Sequence, residues 1–365
     1  MTEKQLHQFR KKLLTWFKKN QRKLPWRDAK NPYHIWVVEV MLQQTQVKKV
    51  LEYYQKFLER FPDVKALAKA DLQQVLKAWE GMGYYARARN LHKAAQFIMT
   101  KNGAEIPDNY DEFKRLPGAG DYITAAVLSQ AFNAPYAVVD GNVKRVLSRI
   151  FLIEKPVPVN SSASNKIFKE KADLLLDQRA SGVFNQAMME LGAIVCRPSN
   201  PKCDDCPVSA FCQANKTNQQ TKFPVTVQAR SIPEFHIAVG VIHKEGHILI
   251  TQRHLEGLLG GLWEFPGGKV NLGESTKQAC IRTIKQRTNL EVEVNSFVTR
   301  VNHAYTHFRI IVDVFNCRFK SGTVVLNGHS DYRWISIEEI DKFPFHAAIH
   351  KFIPQLKQNT NWNFQ

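Results

Sequence analysis

Apolar residues in the first 212 positions recur at three- and four-residue spacings, as in Leu67, Leu72, Val75, Leu76 and Trp79, and again in Val143, Val146, Leu147 and Ile150. That period predicts amphipathic helices. Turn residues punctuate them at Pro62-Asp63, Gly81 and Gly83, Pro107-Asp108, and Pro156 and Pro158. From 213 to 233 Gln, Asn, Thr and Lys replace most large apolar side chains, the composition of a linker. Beyond it the period changes. His236–Val241, His247–Gln252 and Ile310–Phe315 are rich in β-branched and aromatic residues and predict strands. Residues 275–288 and 336–342 predict helices, and no internal repeat is present. The pattern therefore describes an all-α first half and a separate, mixed α/β second half.

A chain of 365 residues accommodates two such domains, and 44% hydrophobic with 23% charged residues is ordinary for a globular protein. The formal net charge of +18 changes the picture more, because an excess of this size favours a polyanionic partner such as nucleic acid. No apolar run is long enough to span a membrane. The N-terminus, MTEKQLHQFRKKLLTWF, is charged and amphipathic rather than signal-like. The expected setting is cytoplasmic and, with DNA as partner, nucleoid-associated. Six cysteines there are reduced and serve either metal binding or burial.

Four of them, Cys196, Cys203, Cys206 and Cys212, fall within seventeen residues with Pro198, Pro201 and Pro207 between them. Thiolates that close need a shared partner, and a metal also staples a segment with little apolar core of its own. Spacing alone leaves the metal open. Structural zinc more often shows two Cys-x2-Cys or Cys/His pairs, and this loop contains one. Cys280 and Cys317 read as ordinary buried thiols.

Leu116-Pro117-Gly118-Ala119-Gly120 separates two helical patterns. It is either an inert turn or a phosphate cradle of backbone N–H groups at a helix start. Asp140, in the run Ala137 to Arg145, suits a helix N-cap and also a carboxylate at the mouth of a site, with Lys144 and Arg145 as nearby phosphate contacts. Glu39 stands inside the apolar run Ile35 to Leu42. Burial would raise its pKa toward that of a general acid. Alternatively it opens a polar stripe continued by Gln43 and Gln46.

Together these motifs, with Leu24-Pro25-Trp26-Arg27, Gly81 to Leu91, and Asn185 to Gly192, resemble the helix-hairpin-helix glycosylases of base-excision repair that carry a [4Fe–4S] loop, and among them the adenine-removing members. The resemblance implies a glycosylase domain over 1–212. A six-helix barrel at roughly 28–135 would be inserted in a cluster domain of 1–27 plus 136–212, followed by the linker 213–233. It implies a [4Fe–4S] cluster on Cys196, Cys203, Cys206 and Cys212, and duplex DNA as partner with the target adenine flipped out. Glu39 would protonate the adenine and Asp140 would stabilise the cationic sugar, supported by Tyr122 and Asn142. Glu190 would contact the flipped base. Trp26, Arg27, Gln44, Tyr84, Gly118, Gly120 and Lys144 would meet substrate or DNA, with Gln44 and Tyr84 wedged into the base stack. Lyase-type relatives carry a lysine two residues after the hairpin's last glycine, where an amine can form a Schiff base. Here that residue is Tyr122, so a monofunctional enzyme without strong strand cleavage is expected.

Residues 260–269, GGLWEFPGGK, resemble the start of a Nudix box, and Gly268, Glu274 and Arg282 continue it. Thr283, Gln286 and Arg287 replace the acids that should hold magnesium, so a Nudix-like domain over 234–365 without hydrolase activity is expected. The resemblance makes this an 8-oxoguanine recognition domain, reading the lesion with Tyr305, Thr306 and His307. The expected substrates are 8-oxoguanine:adenine and guanine:adenine mispairs, bound by a monomer that does not touch membrane. An endonuclease III-like lyase, a mismatch-binding protein with an idle pocket and a Nudix hydrolase are the rival readings.

Overall fold

The structure is a computed structural model describing residues 1–101, 103–154, 162–225 and 231–358. These form two compact units, one from Met1–Ala68 and Lys93–Ala229, the other from Lys69–His92 and Arg230–Gln365. The helices before the sheet are α1 (Glu3–Asn20), α2 (Pro32–Leu42), α3 (Val47–Arg60), α4 (Val64–Lys69), α5 (Leu72–Ala78), α6 (Ala86–Lys101), α7 (Tyr110–Lys114), α8 (Asp121–Phe132), α9 (Gly141–Phe151), α10 (Ser162–Leu175), α11 (Ser181–Ile194) and α12 (Gln213–Lys216). The turn expected at Pro156 and Pro158 lies outside the described residues.

In the first unit α1 begins at a capping box, Thr2 with Gln5, and buries Leu6, Phe9, Leu13 and Phe17 at successive spacings of three, four and four. They join Val143, Val146, Leu147 and Ile150 of α9, together with Phe184 and Leu191 of α11, in one core against which Cys196 and Cys206 pack. α8 packs on both α2 and α11. The segment expected as a linker is ordered as far as Val225: Ala214 and Phe223 are buried. The carbonyls of Gln220 and Phe223 accept from Arg149 Nε at 2.9 and 3.0 Å. Its sparse apolar residues hid this, because two anchors and one arginine hold it. Residues 226–230 lie outside the described residues.

The second unit is built on a seven-stranded sheet with the order β3-β2-β1-β6-β5. Its strands are β1 (Glu234–Lys244), β2 (His247–Arg253), β3 (Trp263–Glu264), β4 (Gly267–Lys269), β5 (Glu291–Ala304), β6 (Arg309–Ser321) and β7 (His329–Ile335). β4 pairs with β1 and β7 with β2, and among the described strands only β1 and β6 run parallel. Alternation sorts the side chains by face. Val241, Ile310, Val312 and Val314 pack under α14 (Ala347–His350) and α15 (Ile353–Gln358). Ala238, Ile242, Phe315 and Cys317 pack under α13 (Thr276–Thr288). Gly240 faces α13 so closely that a Cβ would stand 2.5 Å from Ile284 Cδ1 and 2.9 Å from Cys317 Sγ, so a larger residue would have to push these side chains aside. All three strand segments and the helix at 275–288 fall where the sequence predicts them, and 336–342 forms a 3-10 helix at Ile337–Lys342.

Residues 69–92, which helical spacing places with the first half, belong to this unit. Gln73 donates to the Gly261 carbonyl (3.0 Å) and accepts from Trp263 Nε1 (2.9 Å). Apolar periodicity announces a helix but not the residues to which it is bonded.

Candidate active site

α2 starts at Asn31, whose side chain accepts from the Tyr33 N–H, with Pro32 in the first turn where its missing donor is harmless. Every residue from Tyr33 to Met41 except His34 is buried, and Glu39 is only 4% exposed. The helix ends at Leu42, and the chain turns through Gln44, which has φ +54° and is exposed, before Gln46 caps α3. Gln43 and Gln46 therefore do not extend a polar stripe from Glu39. Glu39 is a lone acid in an apolar helix.

α8 supplies its partners. Tyr122 Oη donates to Glu39 Oε2 at 2.6 Å and Gln130 Nε2 donates to Oε1 at 2.7 Å. Burial raises the Glu39 carboxyl above its ordinary range; the two donors lower it, the Asp140 charge raises it and Arg27 lowers it. Asp140 is the N-cap of α9, and its Oδ1 accepts from the Val143 N–H at 2.6 Å. Asn142 donates to its Oδ2 at 3.1 Å. Burial raises Asp140 too, against the Val143 and Asn142 donors. Two carboxyls of elevated pKa thus sit close enough to feel each other, and Tyr122 feels both.

Behind Asp140 runs a hydrogen-bonded chain that sequence reading missed. Arg145 donates to Asn142 Oδ1, to the Gly192 carbonyl and to the Cys196 carbonyl, each at 2.8 Å. Arg145 is thus turned inward rather than toward phosphate. At Gly192 a Cβ would fall 2.7 Å from Asn142 Cβ, so the glycine lets α11 approach the start of α9. Lys144 directs its ammonium to Asn165 Oδ1 at 2.7 Å.

Cys196, Cys203, Cys206 and Cys212 line one cavity with Arg149, which donates to Cys196 Sγ at 3.3 Å and to the carbonyls of Arg197 and Pro198. Burial pushes the Cys206 thiol up to about 12. Among the described residues no three such side chains converge on a point that holds one metal ion. A four-iron cluster takes one thiolate on each of its irons, and four cysteines around one cavity fit that donor set.

Glu190, expected to meet the base, is occupied. Its Oε1 accepts from Arg22 N (2.9 Å) and Nε (2.8 Å), and its Oε2 from Arg22 Nη2 (2.9 Å) and Arg27 Nη2 (2.8 Å). Four donors fill a carboxylate's acceptor sites, so Glu190 orients the two arginines instead of presenting a free acceptor. Arg27 also donates to Gln186 Oε1 at 2.9 Å. Trp26 is 7% exposed and packs edge-on against Tyr54, a core role rather than a surface one. The hairpin turn falls between α7 and α8, with Gly118 at φ +80° and Gly118 and Gly120 both exposed.

In the second unit Tyr84 (φ +49°, exposed) and Thr306 share a hydrogen bond between hydroxyls, which brings two expected DNA contacts together. Thr306 and His307 are exposed. Tyr305 is not. It stacks on Phe308 with ring centroids 4.7 Å apart, and its hydroxyl meets His346 Nδ1 at 3.1 Å, so it anchors the loop. In the Nudix-like segment Arg282 grips Glu274 with two bonds of 2.6 Å, and Thr283 is buried with its hydroxyl on the Ala279 carbonyl. Glu264 accepts from His329 (2.8 Å) and Arg253 (2.7 Å). Burial would raise its carboxyl, but these partners bring it to about 2.

Residues 37–170 match the HhH-GPD superfamily of base excision DNA repair proteins, and residues 238–355 match the NUDIX domain. With the all-helical first half and the mixed sheet, they define a helix-hairpin-helix repair glycosylase fold joined to a Nudix-like domain. A thermostable thymine-DNA glycosylase structure is similar to it with TM-score 0.53 and 29% identity, covering 59% of this chain and 98% of that one. The adenine DNA glycosylase of Buchnera aphidicola subsp. Baizongia pistaciae (strain Bp) is 32% identical over 352 residues, 96% of this chain and 97% of its own. That of Rattus norvegicus is 31% identical over 397 residues, 94% and 77% respectively. The chain belongs to the adenine DNA glycosylase family, the MutY family.

Proposed function

We propose that this chain removes adenine mispaired with 8-oxoguanine, and less efficiently with guanine, from duplex DNA by hydrolysing the N-glycosidic bond of a flipped nucleotide. The observation that carries this reading is the Glu39 carboxyl, buried, raised in pKa, held at both oxygens and facing a second raised carboxyl at Asp140. Glu39 gives its proton to the adenine ring as the C1′–N9 bond breaks and the bonding pair leaves with the base. Asp140 stabilises the oxocarbenium-like sugar, its orientation held by Asn142 and the start of α9. Water then adds at C1′ and its proton returns to Glu39.

The tyrosine hydroxyl two residues past Gly120 is committed to Glu39, and Lys144 to Asn165, which supports base removal without strand cleavage. Cys196, Cys203, Cys206 and Cys212 would hold a [4Fe–4S] cluster that, when bound, staples the loop and places it for DNA. Thr306 and His307 would read 8-oxoguanine, steadied by Tyr84 and Tyr305. With Thr283, Gln286 and Arg287 in place of acids, the second unit has no carboxylate set there for magnesium.

Duplexes with adenine opposite 8-oxoguanine, guanine or thymine, assayed with and without alkali, test the proposal. Adenine release fastest opposite 8-oxoguanine, with strand breaks appearing only after alkali, is expected. Strand breaks without alkali, or equal rates opposite thymine, would overturn it.

A further inference from the structure

We infer that Gln130 is a positioning residue for Glu39, its side-chain amide serving as hydrogen-bond partner to both protonation states of the buried carboxyl. The inference rests on Glu39 being the acid of the proposed reaction. α8 reads DYITAAVLSQAF, and from Ile123 to Ser129 its residues are buried. Gln130 is half-buried at the far end of that run, and its Nε2 stands 2.7 Å from Glu39 Oε1. Tyr122 holds the other oxygen from two turns earlier. In a site only 4% exposed, water is a poor substitute for either partner.

The choice of an amide has a chemical consequence. A general acid must lose its proton and regain it in each cycle. An amide donates through its NH2 to the ionised carboxylate and, turned over, accepts through its carbonyl from the protonated acid. An apolar side chain of the same size does neither. A carboxylate there would add a like charge to those Glu39 already faces. The groups facing Glu39 are Tyr122 and Gln130 from α8, Asp140 from the cap of α9, and Arg27 from the loop between α1 and α2. Asp140 raises the Glu39 pKa, and Arg27, Tyr122 and Gln130 lower it. Replacing Gln130 by Leu deletes a donor to the charged form, so the Glu39 pKa rises. Because the acid is active when protonated, the alkaline fall of the rate moves to higher pH.

Two measurements on the full-length protein test this. Difference infrared titration reads the Glu39 carboxyl directly, identified by the band that Glu39→Gln removes. Single-turnover excision across pH reads the rate. Gln130→Leu should move both the infrared midpoint and the alkaline limb upward by about one pH unit, the worth of one hydrogen bond to a charged group, and lower the plateau rate several-fold. Gln130→Glu should move them further. Gln130→Met is the fallback where Leu fails to fold. Midpoints in Gln130→Leu or Gln130→Met that superimpose on the parent's would overturn the inference. A moved infrared midpoint with an unmoved rate profile would instead uphold Gln130 as partner and overturn Glu39 as the acid.

Discussion

Asp140 caps α9 and, in the proposed reaction, stabilises the sugar, and the two roles can be separated. Asparagine caps a helix as well as aspartate does, and Asp140→Asn keeps the acceptor for the Val143 N–H. Thermal unfolding of that variant should therefore cost less than about 1 kcal/mol, while single-turnover excision falls by at least about a hundredfold. Parallel losses in both would mean that Asp140 acts only as a cap. Both carboxyls were legible in the sequence, Glu39 from its apolar surroundings and Asp140 from its capping position. Gln130 and Arg22 were not, and Arg145 was read as a phosphate contact, because long polar side chains declare no partner until the chain is folded. Trp26 and Glu190 were legible as residues, but their partners Tyr54, Arg22 and Arg27 were not, since packing and ion pairing appear only on folding.

The elements carry a connection between the cysteine loop and the reaction centre. The Cys196 carbonyl, Arg145, Asn142 and Asp140 form one hydrogen-bonded line from the chain just past α11 to the start of α9. Arg145→Met should leave iron content unchanged yet slow excision by roughly tenfold or more, since losing one fixed partner of a transition-state stabiliser has about that effect. An Arg145→Met enzyme with normal rates would detach the loop from catalysis. The sheet holds an element-scale test of its own in Glu264. Its folded carboxyl lies near 2, below the unfolded value, so its stabilisation is full above about pH 4.5 and is lost as pH falls through 2. Glu264→Gln should destabilise the second unit on the order of 3 kcal/mol at neutral pH and progressively less toward pH 2, as calorimetry can show. Strand and helix periods revealed these elements well. They did not reveal that residues 69–92 join the sheet unit or that 213–225 fold back, because such placements depend on a few specific anchors.

At the scale of the whole molecule, the net charge of +18 sets how the protein meets its partner. Duplex affinity should fall on the order of a thousandfold between 50 and 200 mM salt if about six phosphates are neutralised, measured by fluorescence anisotropy on a mispaired duplex. A salt-independent affinity would leave the charge without that purpose. Cys203→Ser should lose iron, thermal stability and DNA affinity together, because the loop has little apolar core of its own. Retained folding and affinity without iron would assign the cysteines another role.

The most direct single measurement compares Glu39→Gln with the parent protein in single-turnover release of adenine opposite 8-oxoguanine, at matched DNA occupancy. Glutamine fills the same space, and Tyr122 can still donate to its carbonyl, so the variant should fold and bind the duplex. Sign and pH range follow from the raised Glu39 pKa: the parent is penalised as pH rises through that value and a buried charge forms, so the variant should be at least as stable there. With no proton to give, it should release adenine at least about a thousandfold more slowly. Adenine release at the parent's rate by the folded, DNA-bound variant would contradict the assignment of Glu39 as the acid.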